Sequence, residues 1–146
     1  VIKKFDPNHL VTIGWSNAYE ATHLANKVDF VSYHFYNAIE DFEKENTTLE
    51  KAVKKPVVIQ EFGVPSYNGI WNLRGYSEAD QAQYHKKMQA LFKKNKLAFM
   101  SWTLYDFPQV PSQVAGKWPW QKIRQKKFGF LDSKGNKKPS FLYITY

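Results

Sequence analysis

Apolar residues gather in four short, nearly unbroken blocks: Leu10–Trp15 (LVTIGW), Val28–Tyr36 (VDFVSYHFY), Pro56–Phe62 (PVVIQEF) and Leu97–Leu104 (LAFMSWTL). Each is rich in β-branched or aromatic residues. None shows the polar–apolar alternation of a half-wet strand, so the blocks read as parallel strands covered on both faces. Between them the spacing becomes helical. Asn17 with Glu20 predicts a short helix over Asn17–Asn26, and Thr47 with Glu50 makes a capping-box pattern ahead of Leu49, Ala52 and Val53. Ser77 with Asp80 opens the longest helix, predicted over Ser77–Asn95, where Tyr84, Met88, Leu91 and Phe92 mark one buried face. Phe128–Leu131 reads as a short strand and Asp132–Asn136 as a tight turn. A last helix is predicted from Pro139, a favoured first-turn residue, through Phe141 and Leu142 to the end.

The order β-α-β-α-β-α-β-α implies right-handed crossovers and a parallel sheet. Four such units fit an open doubly wound sheet or half of a (β/α)8 barrel. A full barrel takes about 250 residues, with about 200 at the low end, and the chain has 146. A dinucleotide-binding open sheet calls for a Gly-rich first turn, and neither G-x-G-x-x-G nor a P-loop is present. The half barrel is favoured by polar residues at the C-terminal ends of the strands, where barrels place their chemistry. With no repeat, low-complexity tract or linker, residues 1–146 are expected to form one domain.

Composition narrows the function. The absence of cysteine excludes a disulfide scaffold, Cys-ligated zinc, an iron–sulfur cluster and a thiol nucleophile. No apolar run approaches the roughly 18–20 residues of a membrane span, so no membrane association is expected. The charge of +8 together with 17% aromatic residues raises the possibility of a nucleic-acid surface. The cations are instead scattered over three segments: Lys86–Lys96, Lys117–Lys127 and Lys134–Lys138. That distribution is a solvated surface, and no nucleic-acid partner is expected. The four His residues have no metal-ligand spacing such as H-E-x-x-H, so neither metal nor cofactor is expected.

Candidate chemistry lies at the strand ends. His34 and Tyr36 are two apart and share a face. Glu61 closes an apolar strand, where a carboxylate is costly unless paired or functional. Trp102 belongs to the last block, and Asp106 just beyond it reads as a turn or capping residue. Trp15, Trp71, Trp118 and Trp120 fall at strand ends or in loops and are candidates for stacking on a ligand, the Trp118-Pro119-Trp120 run equally for packing.

Four segments together carry a resemblance: His34-x-Tyr36, Ile59-Gln-Glu-Phe-Gly63, Ser101-Trp-Thr-Leu-Tyr-Asp-Phe107 and the closing Phe128-Gly-Phe-Leu-Asp run that ends in Lys138-Pro139. They resemble the last strands of clan A retaining glycoside hydrolases, most closely family 5, the cellulase and mannanase family. The resemblance implies strands five to eight of a (β/α)8 barrel, and hydrolysis of a β-linked glucan or mannan by double displacement. It assigns Glu61 as nucleophile, His34 and Tyr36 to the cleaving subsite, and Trp102 as the sugar-stacking floor. It also implies a secreted or periplasmic enzyme. The logic is sound chemically, because a retaining glycosidase needs an ionised carboxylate beneath the anomeric carbon.

The chain departs from that family in one respect. The general acid usually stands in an Asn-Glu pair, and no Asn-Glu dipeptide occurs here. An Arg that the family places near the nucleophile from an early strand is missing as well. The implied partners are therefore a carbohydrate substrate and either an N-terminal barrel half or a second copy of this chain. The competing expectation is a carbohydrate-binding half barrel without catalysis.

Overall fold

Every predicted block yields a strand, in a sheet with the order β1-β2-β3-β4. The computed structural model describes residues 2–70 and 72–144. In chain order the elements are α1 (Ile2–Phe5), β1 (Gly14–Trp15), β2 (Val31–Phe35), α2 (Phe42–Ala52), β3 (Val57–Phe62), α3 (Glu78–Lys94), β4 (Ala98–Phe99), α4 (Ser112–Ala115) and α5 (Pro119–Gln125), with 3-10 turns between some of them. The sheet is parallel, with Gly14 opposite Ser32 and Val58 opposite Ala98. Each strand is added beside its predecessor. These four strands therefore contain no switch point, the feature that marks a doubly wound sheet. Two compact units make up the chain: Val1–Glu61 with Asn95–Met100, and Phe62–Lys94 with Ser101–Tyr146.

In the first unit both outer strands are shorter than predicted, Gly14–Trp15 and Ala98–Phe99, and beside β1 side chains replace part of the ladder. Val11 N donates to the Asp29 carboxylate at 2.7 Å, and the Thr12 hydroxyl donates to Phe30 O at 2.8 Å. The chain from Leu10 to Ile13 is thus bonded to its neighbour without forming a regular strand. Asn17 Oδ1 accepts from Glu20 N at 2.9 Å, as its cap pattern implies, but the result is a pair of 3-10 turns rather than a helix over Asn17–Asn26. The core sits on one face of β2. Val31, Tyr33 and Phe35 are buried there, and Phe35 meets Phe42 of α2 edge-on at 5.2 Å. Phe42, Asn46 and Leu49 form the buried stripe of α2, which corrects the predicted start. The helix begins five residues before Thr47, which lies mid-helix and exposed. Burial of Phe42 outweighs the local capping pattern.

In the second unit the Ser77–Asp80 cap forms as predicted. Ser77 N donates to Asp80 Oδ2 at 2.9 Å and Asp80 N donates to Ser77 Oγ at 3.1 Å. Behind the cap, α3 buries Tyr84, His85, Met88 and Phe92, with Phe62 edge-on to Phe92 at 4.8 Å. The Phe128–Leu131 strand reduces to isolated bridges of Leu131 to Tyr105 and Lys137. Pro139 opens a five-residue 3-10 helix, Pro139–Tyr143, rather than an α-helix, and the last two positions of the prediction lie outside the described residues. That segment lies along α3, where Gln81 and Gln89 hydrogen-bond Ser140 and Tyr143 and take up polar groups that would otherwise be buried alone.

His85 is fully buried among Phe62, Tyr84 and Phe130, and neither ring nitrogen has a hydrogen-bond partner among the described residues. Burial, with Lys138 adding to it, pushes its pKa down to about 4. Between that value and about 6.5 the unfolded chain binds a proton that the folded chain does not. Stability is therefore whole above the upper value and falls as the pH is lowered, by up to about 3 kcal/mol. Urea unfolding at pH 7 and pH 4.5 should show this loss in the native protein and a shallower one in His85→Phe. Equal pH slopes for the two would refute it.

Candidate active site

Ser32, His34 and Tyr36 project from alternate positions of β2 and its extension, on the face opposite the core residues. On β3, Gln60 Oε1 accepts from the Ser32 hydroxyl at 3.0 Å. Strict alternation would send the next residue to the other side. Instead Glu61 Oε2 accepts from the Tyr36 hydroxyl at 2.9 Å. Gln60 and Glu61 thus reach the same face in succession, and the pleat slips by one position at the strand end. Within the second unit, Phe62 then turns into the aromatic cluster on α3.

His34 Nδ1 lies 3.4 Å from the oxygen that Tyr36 holds, at ion-pair distance when the ring is protonated. The side chains of His34 and Glu61 are each 26% exposed. Both contacts fall on Oε2, and Oε1 of Glu61 has no partner among the described residues. The Tyr36 phenol thus gives one carboxylate oxygen a charge-assisted hydrogen bond, and the two oxygens stand in different surroundings. Beneath them lies a polar layer. Ser32 Oγ also lies 3.1 Å from both Ile13 O and Thr12 Oγ1. Gly14 gives the Gln60 amide its room, since a Cβ there would stand 2.5 Å from Gln60 Oε1. Sequence reasoning missed this layer, although Ser32 and Gln60 are polar positions inside apolar blocks.

The structure brings His34, Tyr36 and Glu61 together. Trp102 belongs to the second unit, where its ring lies 5.9 Å from Phe107 and its backbone N–H donates to Phe62 O at 2.9 Å. Its peptide bond to Thr103 is cis. With Phe107, Val110, Pro111 and Val114 it walls a cavity of about 210 Å³. Asp106 is buried rather than a surface turn residue. Its carboxylate accepts from Gly129 N and from Lys138 Nζ, both at 2.8 Å, and Lys138 also donates to Ser66 Oγ at 2.9 Å. A side chain at Gly129 would collide with Asp106 N at 2.2 Å, so the backbone must approach this closely for the carboxylate to be capped. Trp118 and Trp120 stack on each other at 5.0 Å, Trp15 stands edge-on to His23 at 6.1 Å, and Trp71 lies outside the described residues. Among the described residues no group of three acidic, His or Cys side chains is placed to hold a metal ion, and no helix is long and apolar enough to cross a membrane.

A family model described as the glycosyl hydrolase catalytic core matches residues 6–117. The chain belongs to that family. The match takes in His34, Tyr36, Glu61 and Trp102, while Lys138 lies beyond it. Among curated proteins no sequence matches. Solved structures show the fold that the glycosyl hydrolase core adopts here. A glycoside hydrolase family 17 β-1,3-glucanosyltransferase from Rhizomucor miehei superposes with a TM-score of 0.74 at 20% identity, over 95% of this chain and 53% of that one. A β-D-glucuronidase of Dictyoglomus thermophilum gives 0.70 at 17%, over 97% of this chain and 26% of that one. An endo-laminarinase from Formosa Hel1_33_131 gives 0.64 at 16%, over 90% and 46%. The chain thus spans about half the length of the first of these structures. With its sequential parallel strands, this glycosyl hydrolase core is the C-terminal half, strands five to eight, of a (β/α)8 barrel.

Proposed function

We propose that residues 1–146 form a single catalytic-barrel half that supplies the nucleophile of a retaining β-glycosidase, most like family 5, acting on a β-linked glucan or mannan. The observation that carries this reading is the asymmetric seating of Glu61, with Tyr36 and His34 on Oε2 and no partner on Oε1 among the described residues. Glu61 Oε1 attacks the anomeric carbon as the bond to the leaving oxygen breaks. A general acid protonates that oxygen, and a glycosyl ester of Glu61 remains. Water, deprotonated by the same acid–base group, then attacks the anomeric carbon and frees the carboxylate. The second carboxyl group stands about 5–5.5 Å from the first in such enzymes. On this reading it comes from outside the 146 residues, from an N-terminal barrel half or a second copy, and this chain alone turns over no glycoside. Trp102 serves as the stacking floor. The names of the structural neighbours, which include a β-1,3-glucanosyltransferase and an endo-laminarinase, support a β-glucan substrate. The lack of any Asn-Glu dipeptide favours a second reading, a half barrel that binds carbohydrate without cleaving it.

Mechanism-based 2-fluoroglycosides separate the two readings. With the complementary half present, such a reagent should esterify Glu61 and no other carboxylate, as read by peptide mass spectrometry. Tyr36→Phe should slow this labelling by about tenfold, a loss of about 1.4 kcal/mol. Labelling elsewhere, or none with any gluco- or manno-configured reagent, removes the nucleophile assignment.

A further inference from the structure

A second pocket lies in the first unit, between the turn after β1 and the exposed side of α2. It has a volume of about 350 Å³, and its polar rim is formed by Asn17, Tyr19, Asn37, Lys44, Glu45 and Thr48. We propose that this pocket binds one neutral pyranose of a glycan chain, as a site separate from the cleaving centre. Its size and its apolar floor of Ala18 and Leu49 fit a small-molecule site that carries a few placed polar groups.

The choice of ligand follows from which polar atoms are already engaged. Asn37 Nδ2 donates to Glu45 Oε1 at 2.7 Å, and the Thr48 hydroxyl donates to Lys44 O at 2.8 Å. The Lys44 ammonium has no partner among the described residues, and no bond is made there by the second Glu45 oxygen or by Asn37 Oδ1. The pocket thus offers one cationic donor beside carboxylate and amide acceptors. A sugar hydroxyl both donates and accepts, so a vicinal diol satisfies Lys44 and Glu45 together. A phosphate or uronate would meet the Glu45 carboxylate, and an apolar ligand would engage neither the Lys44 ammonium nor the second Glu45 oxygen. The Tyr19 ring, 74% exposed and edge-on to His23 at 5.8 Å, supplies a flat wall for the apolar face of a pyranose. Neither Tyr36 nor Glu61 lines this pocket, which Asn37, the next residue after Tyr36, does. The assignment rests on the proposed glycosidase reading only for its ligand class.

The test is an NMR titration of the isotope-labelled protein, complementary half included, with cellotriose, laminaritriose, mannotriose and glucuronic acid. At least one neutral trisaccharide should give saturable shifts at the Thr22, Lys44 and Thr48 amides, in the millimolar range. Lys44→Met and Thr48→Trp, both at exposed helix positions, should each weaken that binding by about tenfold or more, about 1.4 kcal/mol. Unchanged melting temperatures would show that the variants are folded. No saturable shift at those amides with any neutral sugar, binding unaffected by Thr48→Trp, or tighter binding of glucuronic acid would each overturn the proposal. Failure of fluoroglycoside labelling with the pocket still titrating would count against the catalytic reading alone. Labelling of Glu61 with a silent pocket would count against this site alone.

Discussion

Glu61→Gln should lower kcat at least about a thousandfold on the best substrate, near 4 kcal/mol of transition-state stabilisation, and leave the fold intact. The amide has almost the shape of the carboxylate and can still accept from the Tyr36 hydroxyl, so the local geometry survives. What it lacks is the negative charge and the ability to form a glycosyl ester. The loss should therefore fall on kcat, with KM changed little, because ground-state contacts to the sugar remain. On the proposed reading the measurement is made with the complementary half of the barrel present. Activity within about tenfold of the native protein, only about 1.4 kcal/mol, would show that another group does the chemistry.

The largest stability effect is expected in the second unit. Lys138→Met should destabilise by about 3–5 kcal/mol, because it takes from the Asp106 carboxylate its buried, hydrogen-bonded cation and leaves one backbone donor and the longer, more exposed contact to Lys127. Asp106 and Lys138 are 2% and 4% exposed, so water does not make up the difference. Pairing the change with Asp106→Asn removes the stranded charge while keeping an acceptor for Gly129 N. The double variant should recover more than half of the loss. Chemical denaturation of the four proteins of this cycle gives the coupling directly. A single-variant loss below about 1 kcal/mol, the scale of an exposed pair, would mean that Lys127, 3.4 Å from Asp106 Oδ2, can take over.

How legible these features were depends on the range of the forces behind them. The four apolar blocks became the strands of the sheet, and the parallel arrangement followed from their covered faces, because burial on both sides is written into composition. The Ser77–Asp80 cap was legible for the same reason: its partners are three residues apart. Thr47 misled because Phe42, a buried anchor whose value depends on Phe35 across the sheet connection, sets where α2 begins. β1 shrank because Asp29 and Thr12 took over ladder bonds at a separation of 18 residues, which no local pattern shows. Asp106 misled in the same way, since its cation stands 32 residues away at Lys138. In the candidate site, His34 and Tyr36 followed from period two. Glu61 followed from its cost at an apolar strand end, not from its phase, which alternation alone places on the wrong side.

That last point bears on how such sites are found and altered. The usual rule for strands assigns successive residues to opposite surfaces, and a search built on it would discard Glu61 as a partner for Tyr36. The readable sign is a doublet of hydrogen-bonding residues followed at once by an aromatic, Gln60-Glu61-Phe62, at the point where a sheet strand runs out. The two members of the doublet have separate supports, the Ser32 hydroxyl for one and the Tyr36 phenol for the other. A substitution at position 60 therefore leaves the support of position 61 in place, and on the proposed reading the two positions can change independently along a single strand.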